Sequence, residues 1–169
     1  MATTPSVTPT FQPAFKRVAQ SCEFDCAFAC CAILSGQSLE EIRAIAVQKF
    51  DHPAANRAYW ITESLIQRLL ADRGLVATHY KEFTSIADLP EVAILLIDYS
   101  EETEIGRHVL FHRQQIANGG KPQEVSYILD PGYWLPESLH IRTDIKALGP
   151  ISYVIGVHAM QKTAPKTGK

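Results

Sequence analysis

Ten consecutive residues, Asp25 to Leu34 (Asp-Cys-Ala-Phe-Ala-Cys-Cys-Ala-Ile-Leu), are apolar almost all round and stop at Ser35-Gly36. A helix without a polar face cannot lie on a surface, so the rest of the chain must close around this one. At 169 residues with 46% hydrophobic content, the chain has material for one domain with one ordinary core. The expected packed domain runs over 13–160, with polar tails at 1–12 and 161–169.

The packing partners of that helix are legible in the periodicity. Ser38-Leu39-Glu40-Glu41 has the form of a capping box and leads into Ile42, Ile45 and Ala46 at helical spacing. A third helix starts at Thr62, carries Leu65, Ile66, Leu69 and Leu70, and ends at Gly74. Beyond Gly74 the pattern becomes β-rich: Leu75 to Tyr80, Val92 to Asp98, His108 to Ile116, Val125 to Asp130 and Ile151 to Val157. Asn118-Gly119-Gly120 is a hairpin signal between two of these runs. Helices first and antiparallel strands afterwards predict an α+β fold in two packed layers.

Charge and cysteine usage narrow the function. With 16 Lys+Arg against 18 Asp+Glu, the chain lacks the basic excess that a nucleic-acid footprint requires. No stretch approaches the roughly 18 apolar residues of a membrane span, and Met1 to Gln12 has neither a basic leader nor an apolar run. Neither nucleic acid nor membrane is an expected partner. The four cysteines, 22, 26, 30 and 31, are too close together for an ordinary disulfide framework, which points to reduced thiols in a cytoplasmic protein or one exported without a cleaved signal peptide.

One cysteine has a position suited to chemistry. Cys26 opens the apolar helix, where unpaired backbone N–H groups and the helix dipole favour a thiolate. Gln20, six residues earlier, would add its side-chain amide to the Cys26 N–H as donors to an oxyanion; a surface glutamine is the plainer alternative. His108 opens one strand of the hairpin and Asp130 closes the other. A turn centred on Gly119 sets them opposite each other on one face, and a loop centre one residue further on makes the relation diagonal. An aspartate holding one imidazole nitrogen leaves the other free to take a thiol proton, the logic of acyl transfer through a covalent intermediate. His112 shares the face of His108 but lies deeper, and is read as structural; His52, His79, His140 and His158 have no carboxylate in a comparable arrangement.

Gln20-Ser21-Cys22-Glu23-Phe24-Asp25-Cys26 with Cys30 behind it, followed by His108-Val109-Leu110 and Ile128-Leu129-Asp130-Pro131-Gly132, resembles the papain-like peptidases that cleave double-glycine leaders from bacteriocin precursors. The order of blocks holds from about Phe15 to Val157. The resemblance implies a papain-like fold, peptidase activity on a peptide or protein substrate, a triad of Cys26, His108 and Asp130, Gln20 in the oxyanion hole, and neither metal nor cofactor. Ala27 stands where the pattern has glycine, and its methyl group is expected to narrow the approach to Cys26. Such peptidases usually sit in front of a membrane transporter, for which this chain carries no segment.

Three other readings compete with a hydrolase. Cys22, Cys26 and Cys30 recur every four residues, but a structural zinc or iron–sulfur site wants four ligands and none completes this set. A non-catalytic peptide-binding module would keep the scaffold without the cutting. An acyltransferase would use the same triad and thioester with an acceptor other than water. Tyr133, Trp134 and Trp60 are candidates to line a substrate cleft.

Overall fold

The computed structural model describes residues 11–53 and 61–161. Three helices come first: α1 (Cys26–Ser35), α2 (Leu39–Phe50) and α3 (Glu63–Ala71). Seven strands follow: β1 (Leu75–Ala77), β2 (Lys81–Glu82), β3 (Val92–Ser100), β4 (Ile105–Asn118), β5 (Lys121–Leu129), β6 (Ile141–Arg142) and β7 (Ile151–Ala159). The fold is α+β, helices amino-terminal and sheet carboxy-terminal.

Each helix is bounded by the local chemistry its sequence carries. Residues 26–33 of α1 are all buried, as a helix lacking a polar face must be, and Gly36 closes it at φ +67° with its N–H on the last carbonyls. Phe28 and Ile33 contribute about 1.5–3 kcal/mol each by leaving water. In α2 the Ser38–Glu41 capping box forms in full, and Leu39, Ile42 and Ala46 face inward. The Thr62 side chain caps α3, whose Leu65, Ile66, Leu69 and Leu70 are buried.

The strands form one antiparallel sheet in the order β1-β7-β3-β4-β5-β6, with β2 also on β7. The helices cover one face, where Ile94, Leu110, Tyr127, Leu129 and Ile155 meet α1 and α3. The opposite face is also buried: Leu95, Ile97, Val109, Phe111 and Ile128 pack on Leu89 and on the 3₁₀ turn Ile145–Leu148. Two covered faces explain why Val92 to Ile97 reads as an unbroken apolar run instead of alternating.

Three details depart from the sequence reading. The strand expected over Leu75 to Tyr80 breaks after Ala77, because Thr78 meets Gly156 with both its backbone (2.9 Å) and its hydroxyl (2.9 Å), and the Tyr80 N–H is taken by Glu63 of α3 at 2.8 Å. Phe11 and Gln12, assigned to the amino-terminal tail, pack on the hairpin: Phe11 lies 5.0 Å from the Tyr127 ring, and the Gln12 carbonyl accepts from Gln114 at 3.0 Å. The third is the register of β4 on β5. Gly119 and Gly120, at φ +58° and +81°, form a two-residue turn pairing Asn118 with Lys121 and Leu110 with Leu129. That register lies between the two anticipated, one residue from either, so Asp130 continues onto the face of Arg107 and Val109 while His108 faces the helices.

Candidate active site

The amino terminus of α1 meets the start of β4. Cys26 Sγ lies 3.3 Å from His108 Nδ1 and accepts the His108 backbone N–H at 3.2 Å. The pair is brought together across 82 residues because α1, enclosed by α2 and α3, packs on β4 at the helix-side face of the sheet, and β3–β4 pairing (Leu96 opposite His108) aims the imidazole at the helix end. Both side chains are nearly enclosed, Cys26 at 2% exposure and His108 at 7%. Burial raises the thiol's pKa, against the lowering effect of the His108 and Ala27 backbone N–H groups and the Arg107 charge. Burial also holds the imidazole down at about 4. At neutral pH the resting pair is a neutral thiol beside a neutral imidazole.

The second imidazole nitrogen is held by Tyr80. Its hydroxyl lies 2.5 Å from His108 Nε2. Burial, and then the neighbouring Cys26, push the Tyr80 pKa above its ordinary value, so the phenol stays intact. When Nε2–H donates to the phenol oxygen, Nδ1 carries the lone pair and faces the thiol, the tautomer a general base needs. Sequence reasoning missed Tyr80 because its position follows from the break after β1 and from Glu63 gripping its N–H. Glu63 also takes His79 at 2.6 Å, so two adjacent residues of that connection are tied to the start of α3.

Asp130, expected to orient His108, does something else. Its carboxylate accepts two bonds from Arg107, at 2.7 and 2.9 Å, and one from the Gly132 N–H at 3.0 Å, with Arg142 3.9 Å away. The one-residue register difference sets Asp130 and His108 on opposite faces, and that is why the assignment fails. Arg107, which also reaches Asp98 at 2.8 Å, is thereby fixed on the opposite face of the sheet, from where its charge still lowers the Cys26 pKa. The backbone at Asp130–Gly132 anchors the segment before α1: Arg17 donates to the carbonyls of Asp130 (2.5 Å) and Gly132 (2.8 Å), and the Gln20 N–H donates to the Pro131 carbonyl at 2.8 Å.

Gln20 is no surface residue; it is 2% exposed. Its Nε2 donates to the Cys22 carbonyl at 2.7 Å, and its Oε1 is buried without a hydrogen-bond partner among the described residues. An amide nitrogen has two hydrogens, so one remains for another acceptor. Asp25, equally buried, ties the turn before Cys26 by accepting from Ser21 N–H, Ser21 Oγ–H and Cys22 N–H, with Arg43 of α2 at 2.5 Å as counter-ion. A buried carboxylate needs such partners, and these hold residues 21–25 in the turn that delivers Cys26 to the helix end.

The remaining candidates fall into place. Ala27 is fully buried in the core beneath the sheet instead of lining an approach to Cys26. His112 is held by the Tyr127 hydroxyl at 2.9 Å and packs edge-on to Phe15. Cys30 and Cys31 are buried in the core with raised pKa values, Cys31 at about 12, whereas Cys22 precedes the helix, so the three cysteines at four-residue spacing do not share a helix face. Trp134 is half exposed and packs over the Arg107 guanidinium at 5.6 Å, with Tyr133 5.1 Å away; Trp60 lies outside the described residues. Among the described residues no three His, Cys, Asp or Glu side chains are grouped to hold a metal ion, and no helix is long and apolar enough to cross a membrane.

A cleft of about 350 Å³ opens on the helix-side face of the sheet and reaches the pair from the His108 side. No protein-family model and no curated protein matches the chain.

Proposed function

We propose that the protein is a cysteine hydrolase acting on amide bonds of a peptide or protein, built on a papain-like arrangement of helix, sheet and thiol. Cys26 is the nucleophile, His108 the base, and Tyr80 the residue that orients the imidazole; Gln20 and the Cys26 backbone N–H are the donors to the oxyanion. The observation that carries this reading is the 3.3 Å approach of a thiol at a helix amino terminus to an imidazole nitrogen.

The chemistry follows from the protonation states. The Cys26 Sγ–H gives its proton to His108 Nδ1 as the sulfur attacks the carbonyl carbon. Collapse of the tetrahedral species breaks the C–N bond, the imidazolium hands that proton to the departing amine, and a thioester remains on Cys26. Water, losing a proton to the same imidazole, releases the acid and restores the thiol. The neutral starting pair makes proton transfer part of the acylation step, in contrast to a stored thiolate–imidazolium pair.

p-Nitrophenyl acetate tests this without knowledge of the natural substrate. The expected result is a stoichiometric burst of nitrophenolate, with the acetyl group located on Cys26 by mass spectrometry, lost in Cys26→Ala and His108→Ala. Acetylation confined to Cys22, or a burst surviving Cys26→Ala, overturns the reading. A second reading, a peptide-binding module that does not cut, draws on the 2% exposure of Cys26 and its raised pKa. It requires that no acyl-enzyme form even when peptide binds.

A further inference from the structure

We propose that the cleft beside His108 is a subsite for a positively charged side chain, so that the bond to be cut lies next to an arginine or lysine. The inference rests on the hydrolase reading and names its substrate class. Pairing of β7 with β3 and of β3 with β4 sets Tyr153, Leu96 and His108 in one row across three strands. Adjacent strands lie about 4.8 Å apart, so Tyr153 stands about 10 Å from the reacting pair, the span of one long side chain. Leu96 forms the floor. Tyr153 meets Tyr80 edge-on at 6.1 Å and Tyr99 edge-on at 5.4 Å, and all three rings line the cleft.

Three tyrosine rings with an aliphatic floor offer ring faces and no cation. Glu104, on the β3–β4 turn, is the one acidic residue of the lining, and among the described residues it has no cationic partner. The Arg107 side chain points to the other face, into Asp98 and Asp130. A guanidinium or ammonium entering here stacks on tyrosine and meets a carboxylate at the rim, whereas an acidic side chain meets only repulsion and a glycine leaves the cleft unfilled. Gly106 lets β4 lie close against β3 at the cleft: a Cβ there would meet the Ile97 carbonyl at 2.8 Å and the Leu96 side chain at 3.0 Å.

The test separates binding from cutting. With Cys26→Ala protein, N-acetyl-arginine methylamide and N-acetyl-norleucine methylamide are titrated by NMR, and the arginine compound is expected to bind about tenfold more tightly, shifting Tyr99 and Tyr153 resonances. Glu104→Gln, on an exposed turn, and Tyr153→Leu should each remove most of that preference. Equal affinity for the two compounds overturns the subsite, as does a preference that survives Glu104→Gln. Because the wild-type burst with p-nitrophenyl acetate needs no cation, a missing burst with intact arginine preference removes the hydrolase reading and leaves the subsite standing. A normal burst without preference does the reverse.

Discussion

At the scale of single residues, the site is governed by desolvation more than by charge. A carboxylate orienting His108 would hold its imidazolium and raise its pKa; Tyr80 is neutral, and the imidazole stays near 4. The lowered value keeps His108 in the basic form down to about pH 4, so the acid limb of kcat/KM is expected near pH 4 instead of near 6.5, as a pH–rate profile on any cleaved substrate would show. Tyr80→Phe removes one hydrogen bond, about 1–1.5 kcal/mol, and should lower kcat by about tenfold while leaving KM and the Cys26 requirement unchanged. Full activity in Tyr80→Phe would deny the phenol any orienting part. Asp130→Asn acts elsewhere: it removes the charge of a fully buried carboxylate that pairs with the partly buried Arg107, and is expected to cost about 3 kcal/mol of stability, read from urea melts, before any effect on chemistry is measured.

At the scale of elements, the hairpin of β4 and β5 sets which side chains meet. Its turn has both central residues at positive φ, which glycine tolerates and β-branched residues do not. Gly120→Val should destabilise by about 1–2 kcal/mol, seen as a lower urea midpoint with an unchanged slope, since the register that carries His108 is held by eight further residue pairs. The break between β1 and β2 matters as much. It frees the Tyr80 backbone to bond Glu63 and thereby brings the phenol over β4.

For the whole molecule, burying a neutral histidine makes stability depend on pH. The unfolded chain binds a proton at His108 near pH 6.5 and the folded chain only near 4, so stability is complete above 6.5 and falls as pH drops toward 4, by up to about 3 kcal/mol. Urea melts across this range should show the loss in the wild type and a shallower one in His108→Gln. An identical pH dependence in the two proteins would mean that the imidazole titrates freely.

Much of the layout was open to reading from the chain. The three helices announce themselves through Gly36, the Ser38–Glu41 box and Thr62, and the hairpin through Gly119-Gly120, because these signals act within a few residues of themselves. Cys26 at a helix mouth and His108 at a strand start belong to the same class of local facts, so the thiol and the imidazole could be nominated before their distance was known. Tyr80 and Arg107 could not be. A one-residue difference in strand pairing leaves the sequence pattern almost unchanged yet turns Asp130 from the imidazole to the guanidinium, and the burial that withdraws charge from Cys26 and His108 exists only once α1 has closed onto the sheet. Local propensity thus determined which elements form and which two groups, a thiol and an imidazole, were candidates for the proposed chemistry. Register and desolvation, being sums over distant contacts, decided who orients whom and in which protonation state.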